Sequence, residues 1–531
     1  MSANGEEPAL TMRDVVKRFG GTRALDGANL SVRRGTIHGL VGQNGAGKST
    51  LIKILAGIHQ PDSGSIEVAG QRYRHLTPHK VEKLGIHFIH QERLLAPSFT
   101  VGEALFLGSE PCVRPLPLLN RRRMRRQAIA TVHSYFGVDF PVGALISELT
   151  PAQQQIVQIA RALLRNPSLL VFDEPTAALV RQEADRLFET IQRLRALTAT
   201  SSELIPNTGH QRSTRRRLGL LLQAGSLIAL VAVMIYFSIA AASFTSFGNV
   251  ANVLEQSAIL GVLSFGMTIV MISGGSNVIT GGIDLSLANN LGLCAAVYAS
   301  LLQSGQPDAV AVFLTFFTGL SVGLLNTIAV VGLGILPLIA TLSVMNICAG
   351  FELVLTQNTV IPATSPFLAA LADNGPLGIS YLAYIFVVLA FIFIVGVEFT
   401  PFGLRLYAVG AYREAARAAG LYVNWYIAVS YVLSGACAAV GAILSVSLLN
   451  GSSTGSGAML LSVVVSTLLG VVFSRRFIPT ITGTFLSVLF IGFLINGFQL
   501  TNVSSYWVNG VEGVLILFVV AATSLLRRVE S

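Results

Sequence analysis

From about residue 219 to the carboxyl end, apolar residues run on in blocks long enough to cross a ~30 Å hydrocarbon layer. Such blocks occupy residues 219–243, 251–272, 284–303, 308–333, 337–356, 377–398, 425–449, 456–474, 480–499 and 506–526, and they predict about ten transmembrane helices. Short Gly-rich connections around the fifth and ninth blocks also allow a re-entrant hairpin at either place. Before residue 219 the pattern changes. Apolar runs there have the length of buried strands, as in Ile37 to Val41 (IHGLV) and Ser168 to Phe172 (SLLVF), with polar and glycine-rich stretches between them. The polar, basic segment Gln211 to Leu218 (QRSTRRRL) separates the two regimes.

Composition agrees with this division. Of 531 residues, 52% are hydrophobic and 12% are charged, with a mean hydropathy of +0.65. A soluble globular domain carries roughly 25% charged residues, so an ordinary soluble enzyme is excluded. The formal net charge of +9 is unevenly placed: residues 1–218 hold 29 basic and 18 acidic residues, and residues 219–531 hold seven and nine. The basic half is expected beside an anionic membrane surface, and no nucleic-acid partner is expected. With ten spans and a cytoplasmic amino terminus, the arginines at 212–217, 405–417, 475–476 and 527–528 all fall on the cytoplasmic side. Tyr506 and Trp507 then open the last span at the outer interface. The amino terminus is polar and does not read as a signal peptide. Cys112, Cys294, Cys348 and Cys437 are scattered and read as small apolar residues. Within the spans, Asn289, Asn290, Asn346, Glu352, Asn496 and Glu512 are either interhelical glue or pathway groups. Asp284, in GGIDLS, is either a helix cap or a pathway residue.

The clearest chemistry lies in the first half. The run Ile37 to Val41 leads directly into Gly42-Gln43-Asn44-Gly45-Ala46-Gly47-Lys48-Ser49, a GxxxxGK[ST] loop between a strand and a helix. Glycines let backbone N–H groups face a polyphosphate, Lys48 reaches the β- and γ-phosphates, and the Ser49 hydroxyl ligates Mg2+. The second buried strand ends at Asp173-Glu174. One carboxylate there can complete the Mg2+ shell and the other can polarise an attacking water.

Residues 8 to 197 resemble the ATP-binding cassette of ABC transporters, in the branch of the ribose-, xylose- and galactose-type importers. GQNGAGKSTLIKILAG, HQERLLAPSFTVGEALFLG, QQQIVQIARAL and EPTAAL carry the resemblance. It implies ATP with Mg2+ as ligands. Phe19 would stack on adenine, Gly42 to Thr50 would cradle the phosphates, and Gln91 would sense the γ-phosphate and reach the metal. Asp173 would be a further metal ligand and Glu174 the general base. Two departures stand out. The family's LSGGQ signature appears as Leu149-Thr150-Pro151-Ala152-Gln153, and no apolar strand leads to a switch histidine, His210 reading as a linker residue.

Residues after about 218 resemble the permease subunits of the same importers, including those for autoinducer-2. GMTIVMI, TGGIDLSL, ATLSVMNI, FGLRLYAVGAYREAARAAGLYVNWYI and NVSSYWVNGVEGVLIL carry this second resemblance. The expected plan is an α/β P-loop NTPase, a truncated ABC cassette over 1–200, then a basic linker over 201–217. An all-α polytopic membrane domain follows over 218–531, with a cytoplasmic coupling segment near 405–424. The resemblance implies ATP-driven import of a small polar solute, a monosaccharide, across a bacterial inner membrane. The expected partners are membrane lipid, a second copy or a relative (homodimer or heterodimer) and a periplasmic sugar-binding protein. The alternative is a permease subunit whose cassette binds but hardly hydrolyses ATP, powered by a separate complete ATP-binding subunit. An exporter or channel is the third reading, disfavoured by the cassette preceding the spans.

Overall fold

The structure, a computed structural model, describes residues 8–43, 45–89, 95–113, 115–136, 141–172, 231–275, 282–452, 454–474 and 476–504, with residues 192, 507, 510, 511, 513 and 514. The chain divides into two compact units. One comprises Met1–Gln211 with Glu414–Leu421, and the other Arg212–Arg413 with Tyr422–Ser531.

In the first unit, β1 (Leu10–Phe19) and β2 (Thr22–Val32) form a long antiparallel hairpin. β3 (Ser63–Val68) and β4 (Gln71–Tyr73) extend it to a four-stranded sheet of order β2-β1-β3-β4. Leu10, Met12 and Val15 of β1 are buried with Ile66 and Val68 of β3, against Leu51, Ile54 and Leu55 of α1 (Lys48–Leu55). Apolar burial on one face of the sheet thus seats the helix that follows the glycine-rich loop. α2 (Pro78–Lys83) leads into β5 (Ile86–Ile89), which pairs in parallel with β8 (Leu169–Phe172). Between them lie α3 (Val101–Phe106), a two-residue hairpin β6 (Cys112–Val113) and β7 (Leu118–Leu119), α4 (Arg121–Phe136) and α5 (Pro151–Leu163).

One expectation is corrected here. Ile37 to Val41 does not form a buried strand: the segment joins no ladder, and Ile37, Leu40 and Val41 are 57%, 39% and 94% exposed. An interior parallel strand needs a neighbour on each side and cover on both faces. Among the described residues, neither is supplied to this segment. Its apolar pattern therefore records a strand's composition without the partners that would bury it.

The second unit is all helical: α6 (Val231–Ala240), α7 (Phe247–Gly274), α8 (Leu287–Gln303), α9 (Asp308–Thr327), α10 (Pro337–Thr356), α11 (Pro366–Ala372), α12 (Tyr381–Glu398), α13 (Pro401–Ala411), α14 (Arg413–Ala418), α15 (Val423–Leu449), α16 (Met459–Phe473) and α17 (Ile481–Leu500). Of α14, only Arg413 belongs to this unit.

Seven helices among the described residues are long and apolar enough to span a membrane, so the count of about ten is not reached. The third block forms α8 with only 17 residues, about 25 Å at the helical rise. The first block is described only as Val231–Ala240, and most of the tenth lies outside the described residues. The fifth and ninth blocks are helices of 20 residues each, Pro337–Thr356 and Ile481–Leu500. α7 and α15 supply the interior, with α8 packed against α15, α10 and α9. Helices α9, α10 and α12 keep apolar residues such as Phe317, Phe351 and Phe391 exposed.

Candidate nucleotide site and membrane-buried polar groups

The glycine-rich loop enters α1 through Gly45 and Gly47, both left-handed with φ of 85° and 84°. Gly47 lies so close to β2 that a Cβ there would meet Ala24 O at 2.6 Å and Leu25 Cδ2 at 2.7 Å. Leu25 stands opposite Lys17 on β1, two residues before Phe19, so one hairpin fixes both the loop and the aromatic residue. Phe19 is 45% exposed, in a T-shaped contact with His59 at a centroid distance of 5.1 Å and with Lys17 Nζ 5.6 Å from its ring centroid. The α1 N-terminus has no side-chain cap, and Ser49 in its first turn is exposed. Lys48 Nζ donates to the loop's own carbonyls, Gly42 O at 2.6 Å and Gln43 O at 2.9 Å. Uncapped N–H groups, a hydroxyl and an ammonium thus converge on one loop, the donor set that a magnesium-bound polyphosphate requires.

Asn44, Gln91, Asp173 and Glu174 lie outside the described residues, as does His210. The strands that lead to three of them are in place. Ile89 pairs with Phe172 in the parallel register, so the chain leaves both strands at the same edge, two residues before Gln91 and one before Asp173. Ligands of open α/β sheets bind at that carboxyl edge.

The signature segment is a helix start. Thr150 caps α5 by accepting from Gln153 N at 3.3 Å, while the Gln153 side chain accepts from Thr150 N at 2.9 Å. Pro151 occupies the first helical position, where its missing N–H costs nothing. Pro151 therefore removes a backbone N–H, and Ala152 adds a Cβ, where two glycines would leave the helix start open to a facing nucleotide. This capping box is legible in the sequence as T-x-x-Q.

Other charged groups organise this unit. Arg165 pairs with Glu82 and donates to Leu107 O at 3.0 Å. In the same unit, Gly420 leaves no room for a Cβ beside the Glu82 carboxylate, and a Cβ on Gly108 would meet Ala419 O at 3.0 Å. Burial lowers the pKa of Arg161 to about 10, opposed by Glu110. Burial, with the nearby Arg161 charge, also holds His87 below the usual histidine range.

In the helical unit, Asn249 and Asn496 exchange two amide hydrogen bonds of 2.8 and 3.0 Å between α7 and α17. Asn290 Nδ2 donates to Gly319 O at 3.4 Å, and Asn346 Nδ2 donates to Leu342 O of its own helix at 2.9 Å. Glu352 is buried on α10 beside Gly292 of α8, and among the described residues its Oε1 has no hydrogen-bond partner. Asp284 is not the cap residue of α8, which is Ser286. It is a buried acceptor for four donors: Ser286 N at 3.1 Å, Ser286 Oγ at 2.5 Å, Asn326 Nδ2 at 3.2 Å and Ser434 Oγ at 2.7 Å. No sequence signal singled out Asn326 or Ser434, since single polar residues in apolar runs are common.

Comparison with known proteins finds two families in the chain. Residues 25–177 match the ABC transporter family, and residues 249–520 match the family described as branched-chain amino acid transport system / permease component. Over 188 residues the chain is 60% identical to the ribose import ATP-binding protein RbsA of Pseudomonas putida, covering 35% of this chain and 36% of that protein. It is 55% identical over 188 residues to the RbsA of Cereibacter sphaeroides, covering 35% and 37%. The chain thus spans little more than a third of the length of these curated relatives. A solved ATP-binding cassette of an ABC transporter in its ADP conformation superposes with a TM-score of 0.32 at 27% identity, covering 36% of this chain and 78% of that one. With one family matched over half its length and the other ahead of it, the chain belongs to the branched-chain amino acid transport system / permease component family, fused to an amino-terminal ABC transporter domain.

Proposed function

We propose that this chain is a cassette–permease subunit of an ATP-driven importer that carries a small polar solute, a monosaccharide of the ribose type, across a bacterial inner membrane. The observation that carries the reading is the joining, in one polypeptide, of a segment 60% identical to a ribose import ATP-binding protein and a matched permease domain. The same identity through the nucleotide-binding segment supports ATP-driven import over the alternative of a cassette that binds but hardly hydrolyses.

In this reading ATP seats on the Gly42 to Thr50 loop with its base on Phe19. Lys48 leaves the Gly42 and Gln43 carbonyls for the phosphates. Ser49, Asp173 and Gln91 hold Mg2+, which when bound supplies neutralisation of phosphate charge. Glu174 takes a proton from the attacking water. The basic stretches facing the cytoplasm, the amino-terminal domain on that side, a second copy or relative and a periplasmic binding protein complete the assembly.

The test is ATP-dependent ribose uptake by proteoliposomes holding the full chain and its binding protein, with Glu174→Gln alongside. Uptake and ATP turnover that both fall at least about a hundredfold in the variant support the reading. Turnover indifferent to Glu174 overturns it.

A further inference from the structure

Residues Glu414–Leu421 belong to the cassette's compact unit, and α15 begins at Val423, immediately beyond them. Within four turns of that start, α15 makes polar contacts to α9, to α7 and to the turn before α8. Ala428 O accepts from Thr327 Oγ1 of α9 at 3.2 Å. Ser430 Oγ meets Ser273 Oγ of α7 at 2.7 Å, and Ser434 Oγ donates to Asp284 Oδ2 at 2.7 Å. The last contact is of a different kind, because its acceptor is a carboxylate that is 2% exposed.

A buried carboxylate is tolerated only while its hydrogen bonds persist. Asp284 Oδ1 is held at the start of α8 by the Ser286 N–H and hydroxyl and from α9 by the Asn326 amide, and Oδ2 by Ser434 alone among the described residues. Ser434 lies 11 positions beyond Val423, about 17 Å along the helix. Sliding α15 without α8 would strip Oδ2 of its donor, so the two move together or the contact breaks. The Ser–Ser and Thr–carbonyl contacts can be remade with neighbouring groups at less cost, being neutral.

We infer that the Ser434–Asp284 hydrogen bond is the latch that carries displacement of the 414–421 segment from α15 into the start of α8. Asp284 and Ser434 are positioning residues here, and the inference rests on the proposed function, with 405–424 as the segment that couples the nucleotide site to the helices.

Hydrogen exchange on the full chain in lipid nanodiscs, with and without MgATP, tests it. In the wild type, MgATP changes exchange by threefold or more in residues 42–55, in 414–430 and in 284–295. In Ser434→Ala the first two responses stay and the third disappears, while the thermal midpoint holds; Ser434→Thr, which keeps a hydroxyl, restores it. A response at 284–295 that survives Ser434→Ala overturns the inference, as does a wild type that responds at 42–55 and 414–430 but not at 284–295. Loss of all three responses in Ser434→Ala with a lowered midpoint shows a structural staple only and also overturns it. A wild type silent even at 42–55 sinks the nucleotide reading itself, and the latch with it.

Discussion

Gly47→Ala is the perturbation whose cost the geometry defines best. Two effects add at that position. The φ of 84° is left-handed, which costs an alanine about 1–2 kcal/mol. The new Cβ would also sit 2.6 Å from Ala24 O and 2.7 Å from Leu25 Cδ2, against a β-strand that cannot easily retreat, and overpacking of this kind costs a further ~1–3 kcal/mol. The sum, about 2–5 kcal/mol, corresponds to a loss of nucleotide affinity of roughly 30-fold to several thousandfold if it is expressed in the loop. Gly45→Ala is the internal control: its φ is 85°, but among the described residues nothing lies within 4 Å of its Cβ, so only the conformational cost of about 1–2 kcal/mol applies. Titration of a fluorescent ATP analogue against the full chain, with thermal unfolding recorded in parallel, measures both. Gly47→Ala should lose at least about five times more affinity or stability than Gly45→Ala. Equal effects, or tolerance of Gly47→Ala, would refute the claim that close approach to β2 sets the position of the loop.

Three further expectations follow from other parts of the structure. Opening the α5 start with Pro151→Gly and Ala152→Gly should raise ATP turnover by about tenfold if the closed helix start limits it, and an unchanged turnover removes the signature from the rate. Asn249→Ala and Asn496→Ala, singly and together, should show a coupling of about 0.6–1.7 kcal/mol in unfolding from lipid; additive losses would show that the paired amides do not act as a unit. His87 has a folded pKa below its unfolded value, so the unfolded chain binds the proton more readily. Its contribution is therefore fully present above pH ~6.5 and is lost as the pH falls toward the folded pKa. His87→Asn should flatten that part of the stability profile, measured by thermal unfolding between pH 7.5 and 5.

What the sequence disclosed depended on whether a pattern was self-sufficient. The glycine-rich loop and the 20-residue apolar blocks specify their own conformation, the first through left-handed glycines and the second through backbone hydrogen bonds satisfied within a helix. Ile37 to Val41 illustrates the opposite case. Its apolar side chains said that the run should be buried, but a parallel strand is made by its neighbours, and the described residues give it none. The third apolar block similarly overstated its helix, because residues 284–286 are spent on the Asp284 turn before α8 begins. Asp284 itself was visible as an acidic residue at a helix start. Its donors Asn326 and Ser434 lie 42 and 150 positions away, a pairing that only the packing of α9 and α15 creates.

The two helix starts that resemble nucleotide contacts are built in opposite ways, and this separates binding from closure. α1 begins without a side-chain cap, with Gly47 in the left-handed region and Ser49 exposed, so its donors are available to a ligand of the same chain. α5 begins with a proline, which has no N–H, and a reciprocal Thr150–Gln153 box that uses the Thr150 and Gln153 N–H groups within the chain. A nucleotide held by α1 alone gains nothing from a second cassette of identical sequence. Its affinity should then be independent of protein concentration and unaffected by Thr150→Ala, which costs α5 only its cap, about 1 kcal/mol of stability. Affinity that strengthens with protein concentration, or weakens in Thr150→Ala, would mean that α5 contributes to the site in a facing copy despite its closed start.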